Sequence, residues 1–221
     1  MKSLQTLFVL SVFFIHLVFG VTGVDFSTYR PGMNNRPLYQ SIIKDLGEKF
    51  GTPVQTAYRK GFEAQIDRIV IDEDLMDKYL QEAAVPQERE AIARFILAHE
   101  YFHVLLKHPH TSERGESPKE IQIRGTFTEA RREMEKQVDH LAAKYLHDLK
   151  LPTKPVERMF QTHPELVHGG DCYPSGEERA KIVSEASKPG IEMSYFDNKA
   201  IKCTFFLNKL AARFPREMPL K

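Results

Sequence analysis

The sequence predicts an α+β domain, helical over most of its length, with one small β element. Three observations predict it. Apolar residues recur at three- and four-residue spacing in several segments, only one region is rich in β-branched residues, and Gly or Pro punctuates the segment ends. Residues 31–37, PGMNNRP, form an irregular lead-in, since two prolines and a glycine break regular structure. A helix follows over 38–50, where Leu38, Ile42, Ile43, Leu46 and Phe50 share a face and Gly51 is the stop. Residues 53–59 and 67–71 read as short strands, with KGFEAQ between them able to turn the chain, in a small β-hairpin or three-stranded sheet. The stretch DEDLMDKYLQEAA predicts a helix whose first-turn acids suit the positive end of its dipole. Pro86 opens a longer helix over 87–106. Residues 111–125 are polar and read as a surface loop, and a second long helix runs over 128–149, before Pro152. The remainder holds one more helix at 177–187 and a tail, 188–221, with an apolar patch at 201–207.

At 221 residues the chain suits a single domain, with its core over about 38–187. The composition is that of an ordinary globular protein, and a net charge of +1 without basic clusters argues against a nucleic-acid partner. Residues 1–23 have the anatomy of a signal peptide: Lys2, an apolar run from Leu7 to Phe19, then small residues, with cleavage after Gly20 or Gly23. The other reading is an uncleaved anchor, for which the run is short. No later segment is apolar enough to span a bilayer, so the expectation is an exported protein, periplasmic or secreted. In such a compartment Cys172 and Cys203, the only cysteines, can form a disulfide. Closing a loop of roughly 30 residues contributes about 3–4 kcal/mol in the chain-entropy picture.

The segment RFILAHEYFHVLLKHPH, residues 94–110, carries chemistry. Ile92, Phe95, Ile96, His99, His103 and Leu106 recur on one helical face, so both histidines point with the apolar stripe. Buried imidazoles need partners or a metal. His99-Glu100-Tyr101-Phe102-His103 spells HExxH, in which histidines at i and i+4 bind zinc and the glutamate is a general base. A metzincin would need Gly at 106 and His at 109, but the chain has Leu106 and Pro109. His108 and His110 are therefore expected to face solvent at the helix end, where cations are favourable. The third ligand is sought on the next helix. There Glu135 flanks the apolar stripe of Ala130, Met134, Val138, Leu141, Ala142 and Tyr145, while Glu133 falls on the other side. Asp139, one turn on, is placed to accept from the far nitrogen of a ligating histidine. His140 and His147 fall on the polar face and are expected at the surface.

HEYFH followed by Glu135-Lys136-Gln137-Val138-Asp139 resembles the HExxH…ExxxD signature of the HtpX-like and prenyl-protein-protease group of gluzincin zinc metallopeptidases. A third element of that group, His-Pro followed after four residues by Arg, has its spacing kept in Tyr173-Pro174 and Arg179, with tyrosine replacing histidine; His163-Pro164 has the dipeptide but Gly169 in the arginine's place. The resemblance spans about 66–187 and is closest to compact, exported members without membrane helices. It implies a gluzincin-like helical domain in which His99, His103 and Glu135 hold one zinc ion per chain. Glu100 would be the base, and Tyr173 with Arg179 would stabilise the oxyanion. The implied activity is that of an endopeptidase taking a protein or peptide substrate along a sheet edge, expected at 68–71. The rival reading is a zinc-containing binding or chaperone-like module without turnover.

Overall fold

The computed structural model describes residues 24–65, 67–108, 118–163, 166, 173–186 and 188, with helical backbone but no side-chain detail at 118–127. Within them lie six α-helices and one three-stranded sheet. The first helix, α1 (Arg36–Phe50), has Pro37 in its opening turn and buries Tyr39, Ile42, Ile43 and Leu46. It ends at Gly51, whose φ of 73° is a conformation that glycine adopts without penalty.

The chain then forms β1 (Gln55–Tyr58), the two-residue strand β2 (Glu63–Ala64) and β3 (Arg68–Ile71). Their order is β1-β3-β2; β1 runs parallel to β3, and β2 runs antiparallel to it. The two strands expected from the sequence are therefore both present, but they do not form a hairpin with each other. The KGFEAQ segment contributes β2, and Gln65 N donates to Arg68 O to turn the chain back into β3. One expectation is overturned outright. Among the described residues strand 68–71 is central and buried, flanked on both sides, and β2 is the edge on the side of the cleft described below.

Asp72 caps α2 (Glu73–Gln81): its Oδ1 accepts from Leu75 N, and its Oδ2 accepts from Gly61 N, which ties the β1–β2 connection to the helix start. The next helix, α3 (Pro86–Leu105), is buried around nearly its whole circumference, not on one face alone. It packs most extensively on α4 (Pro118–Asp148) and also touches α1, α2, the sheet and α5 (Lys154–Thr162). Each large apolar side chain buried here contributes about 1.5–3 kcal/mol, so α3 is the axis of the core. Arg94 lies inside that core. It donates to Glu90, Asp45 and the Tyr145 hydroxyl at 2.8–3.1 Å, the partners a buried guanidinium requires.

Helix α4 starts at Pro118, so part of the segment expected as a loop, 118–125, is helical; proline is compatible with a first turn, and Gly125 is carried inside the helix. Helix α5 was not expected, because Pro155 reads as a breaker. Here it sits in the first turn, and Val156, Met159 and Phe160 form the buried stripe. The last described helix, α6 (Gly176–Ala186), packs on α4 and α5. A capping box opens it: Glu178 N donates to Ser175 Oγ, and Ser175 N donates to Glu178 Oε2. Among the described residues no helix is long and apolar enough to cross a membrane. Residues 1–23, Cys172 and Cys203 lie outside the described residues, as does the 189–221 stretch of the tail.

Candidate metal centre

Helix α3 presents His99 and His103 one turn apart, and α4, packed across it, brings Glu135 between them. His99 Nε2 lies 3.2 Å from Glu135 Oε2 and 3.2 Å from His103 Nε2, and His103 Nε2 lies 3.6 Å from Glu135 Oε2. One ligand atom from each residue falls within 4.8 Å of the others, and the group is buried except for partly exposed His103. Three ligand atoms thus converge on one point in a poorly hydrated place, where a bound cation can take the position that a proton on His99 Nε2 holds in the bare protein. This buried group could hold a metal ion.

The far side of each histidine is also engaged. His99 Nδ1 donates to Asp139 Oδ1 at 2.9 Å. Asp139 is held in turn by Arg179, whose Nε and Nη2 donate to Oδ2 and Oδ1 at 2.7 Å each, while the guanidinium stacks 4.2 Å from the Phe160 ring centroid. Arg179 is aimed there by α6, whose start is set by the Ser175–Glu178 box. Arg179 and the expected oxyanion donor Tyr173 line the same cleft, though the hydrogen bonds of each go to other residues. Tyr173, 40% exposed at the cleft mouth, accepts a 2.6 Å hydrogen bond from Arg131 Nη2, and that guanidinium lies 5.1 Å from its ring centroid.

Burial penalises His99 as a cation, but Asp139 and Glu135 outweigh it and raise the group to about 9 in the metal-free protein. Burial pushes Glu135 and Asp139 upward. His103 and His99 nonetheless hold Glu135 well below its ordinary value, and Arg179 with His99 holds Asp139 low. Glu100, partly buried and lining the same cleft, is raised by desolvation, opposed by His99 and His103. A carboxyl raised in this way is a better proton acceptor than one in water.

Two histidines expected at the surface are buried. His108 is 6% exposed, and its Nδ1 lies 2.9 Å from His103 Nδ1; burial and His103 lower it to about 3. His140 is also buried, because α4 is covered more widely than its apolar stripe implies, while His147 is exposed as expected. His110 lies outside the described residues. Glu133 faces Lys136 at 3.5 Å, away from the metal group. His163 is buried at the end of α5 with its Nε2 3.0 Å from Glu82 Oε1 and its ring against Tyr79, so it serves that contact and does not line the cleft.

Sequence reasoning missed Arg131 and the role of His108. Arg131 precedes Glu135 by one helical turn, which is the signal that could have found it. For His108 no such signal exists, because its placement depends on how α3 ends.

The centre opens into a cleft of about 690 Å³. Strand β2 borders it, and Phe62, Leu75, Tyr79, Phe95, Met159 and Phe160 give it apolar walls. No protein-family model, curated protein or solved structure matches the chain. The geometry itself carries the conclusion that the fold builds a buried His-His-Glu group able to hold a metal ion.

Proposed function

We propose that the chain is a zinc-dependent endopeptidase of protein or peptide substrates. The observation that carries the reading is the donor triangle of His99, His103 and Glu135, with Glu100 in the same cleft. Zinc in a tetrahedral site with bonds of roughly 2.0–2.2 Å separates neighbouring ligand atoms by roughly 3.3–3.6 Å. The donor separations of 3.2, 3.2 and 3.6 Å support that fit. Two imidazoles and one carboxylate, with the fourth direction facing a cleft, are also the donor set of a catalytic zinc and not of a closed structural one.

Zinc there would supply an acidified water and a polarised scissile carbonyl. Glu100 takes the proton of the attacking water and returns it to the leaving amine, a role its raised proton affinity supports. Tyr173 donates its hydroxyl proton in a hydrogen bond to the developing oxyanion. Arg131, donating to the phenol oxygen, makes that hydroxyl a stronger donor and holds it at the cleft mouth. Asp139, braced by Arg179, keeps the Nδ1 proton of His99 in place so that Nε2 presents its lone pair. An extended substrate would pair with the edge of β2 that is unpaired among the described residues and lay a side chain against the apolar walls of the cleft. Residues 1–23 we read as an export signal, which puts the reaction outside the cytoplasm.

The test is cleavage of an unstructured protein by wild type and Glu100→Gln at equal zinc occupancy. The expected result is turnover by wild type and a loss of about 10²–10⁴-fold in the variant. Folded, zinc-loaded wild type that cuts no substrate overturns the peptidase reading and leaves the zinc-binding module in its place.

A further inference from the structure

We propose that His108 is a positioning residue of the metal centre: it accepts the Nδ1 proton of His103 and thereby fixes the tautomer and ring orientation that aim His103 Nε2 at the metal. The inference rests on the metal reading above and adds to it a residue that HExxH does not contain.

It begins with the way α3 ends. Leu106 closes the helix, and Lys107 takes the left-handed conformation with φ of 55°. Lys107 N donates to Val104 O and His108 N donates to His103 O, both at 3.0 Å. These two bonds make a Schellman motif with Lys107 in the position that glycine usually fills. The motif reverses the chain over the last turn of the helix. It therefore sets the side chain of His108 on that of His103 and not in solvent.

The contact is a specific one. His108 is buried, its Nδ1 is 2.9 Å from His103 Nδ1, and the rings meet edge to face at 5.0 Å between centroids and 72° between planes. Two ring nitrogens at that distance make a hydrogen bond only if one carries a proton and the other a lone pair. His103 Nε2 faces His99 Nε2 and Glu135 Oε2 and must keep its lone pair to ligate a cation. The Nδ1 proton of the pair then belongs to His103, and His108 Nδ1 is the acceptor.

Each of the two ligating histidines thus has its own acceptor, and the acceptors differ. His99 leans on a carboxylate whose charge Arg179 balances. His103 leans on a neutral imidazole, which orients it without adding negative charge to a site already holding Glu135. Acceptors of this kind commonly account for 10–100-fold in metal affinity.

The test compares full-length wild type, His108→Phe and His108→Asn. Phe keeps bulk and burial but accepts nothing, whereas Asn Oδ1 occupies the place of Nδ1 and can accept. Zinc affinity is read by competition with a chromophoric chelator, and ligand geometry by the visible spectrum of the cobalt-substituted protein. The expected result is zinc binding 10–100-fold weaker in His108→Phe with an altered cobalt spectrum, and recovery of most of the loss in His108→Asn. A second measurement needs no variant: long-range proton–nitrogen correlation on zinc-loaded wild type should show His103 protonated at Nδ1 and His108 unprotonated there. His108→Phe with wild-type affinity and spectrum, or a protonated His108 Nδ1, overturns this inference while the metal reading stands. Wild type that takes up neither zinc nor cobalt overturns both.

Discussion

Asp139 links the ligating His99 to Arg179. It is fully buried, it orients His99, and it is the counter-ion of Arg179. Replacing it with asparagine keeps the shape but takes the directly bonded carboxylate from the half-buried Arg179 guanidinium, leaving Glu135 and Glu100 as its nearby acids, which costs about 1–3 kcal/mol. Asp139→Asn is therefore expected to lower stability by that order in chemical denaturation and to weaken zinc binding about 10–100-fold. A variant unchanged in both would show that Asp139 is incidental. The spacing of His99 and His103 was readable from sequence because i and i+4 on one helix share a face whatever surrounds them. Glu135 and Asp139 could be selected for the same reason, from the flank of an apolar stripe. The partners of Arg94, Arg131 and Arg179 could not be selected this way, since each guanidinium finds some or all of its partners on elements distant in the chain.

At the scale of elements, the device that matters most is the end of α3. Lys107 holds a backbone conformation unfavourable to a residue with a Cβ, by about 1–2 kcal/mol, and glycine removes that penalty at some entropic cost in the unfolded chain. Lys107→Gly should raise the denaturation midpoint by the equivalent of about 0.5–1 kcal/mol with zinc affinity retained. A loss of stability would mean that the turn is not the Schellman motif described. This ending explains why sequence reasoning left His108 in solvent: nothing in LLKHPH marks Lys107 as left-handed. The elements with local signals, such as α1 stopped by Gly51 and α3 opened by Pro86, were legible. Those decided by tertiary context were not. Strand β2 is two residues long, too short to show alternation, and the parallel pairing of β1 with β3 has no local signature. Helix α5 was hidden because Pro155 has opposite meanings in a first turn and in a helix interior.

For the whole molecule, metal and proton compete for one site. In the metal-free protein His99 is raised from 6.5 to about 9. A raised histidine contributes stability that is fully present below its unfolded value of 6.5 and is lost as pH climbs through about 9. Glu135 and Asp139 are lowered, so their contribution is present above the ordinary carboxylate range and lost only as pH falls through their folded values. His108, lowered to about 3, works the other way: its contribution is present above 6.5 and is lost as pH falls toward about 3. The metal-free protein is therefore expected to be most stable near pH 6.5, and its Tm should fall between pH 6.5 and 9 by roughly 2–4 °C for each kcal/mol lost. Zinc-loaded protein should escape that fall, because the ion holds His99 neutral in the proton's place. Equal pH profiles for the two forms would contradict the coupling.

Zinc content decides whether His99, His103 and Glu135 together hold a metal ion. Wild type dialysed against buffered zinc should carry one ion per chain by elemental analysis, and Glu135→Gln, folded by circular dichroism, should lose it. Wild type without zinc, or a Glu135→Gln protein that keeps a full equivalent at unchanged affinity, would contradict the account.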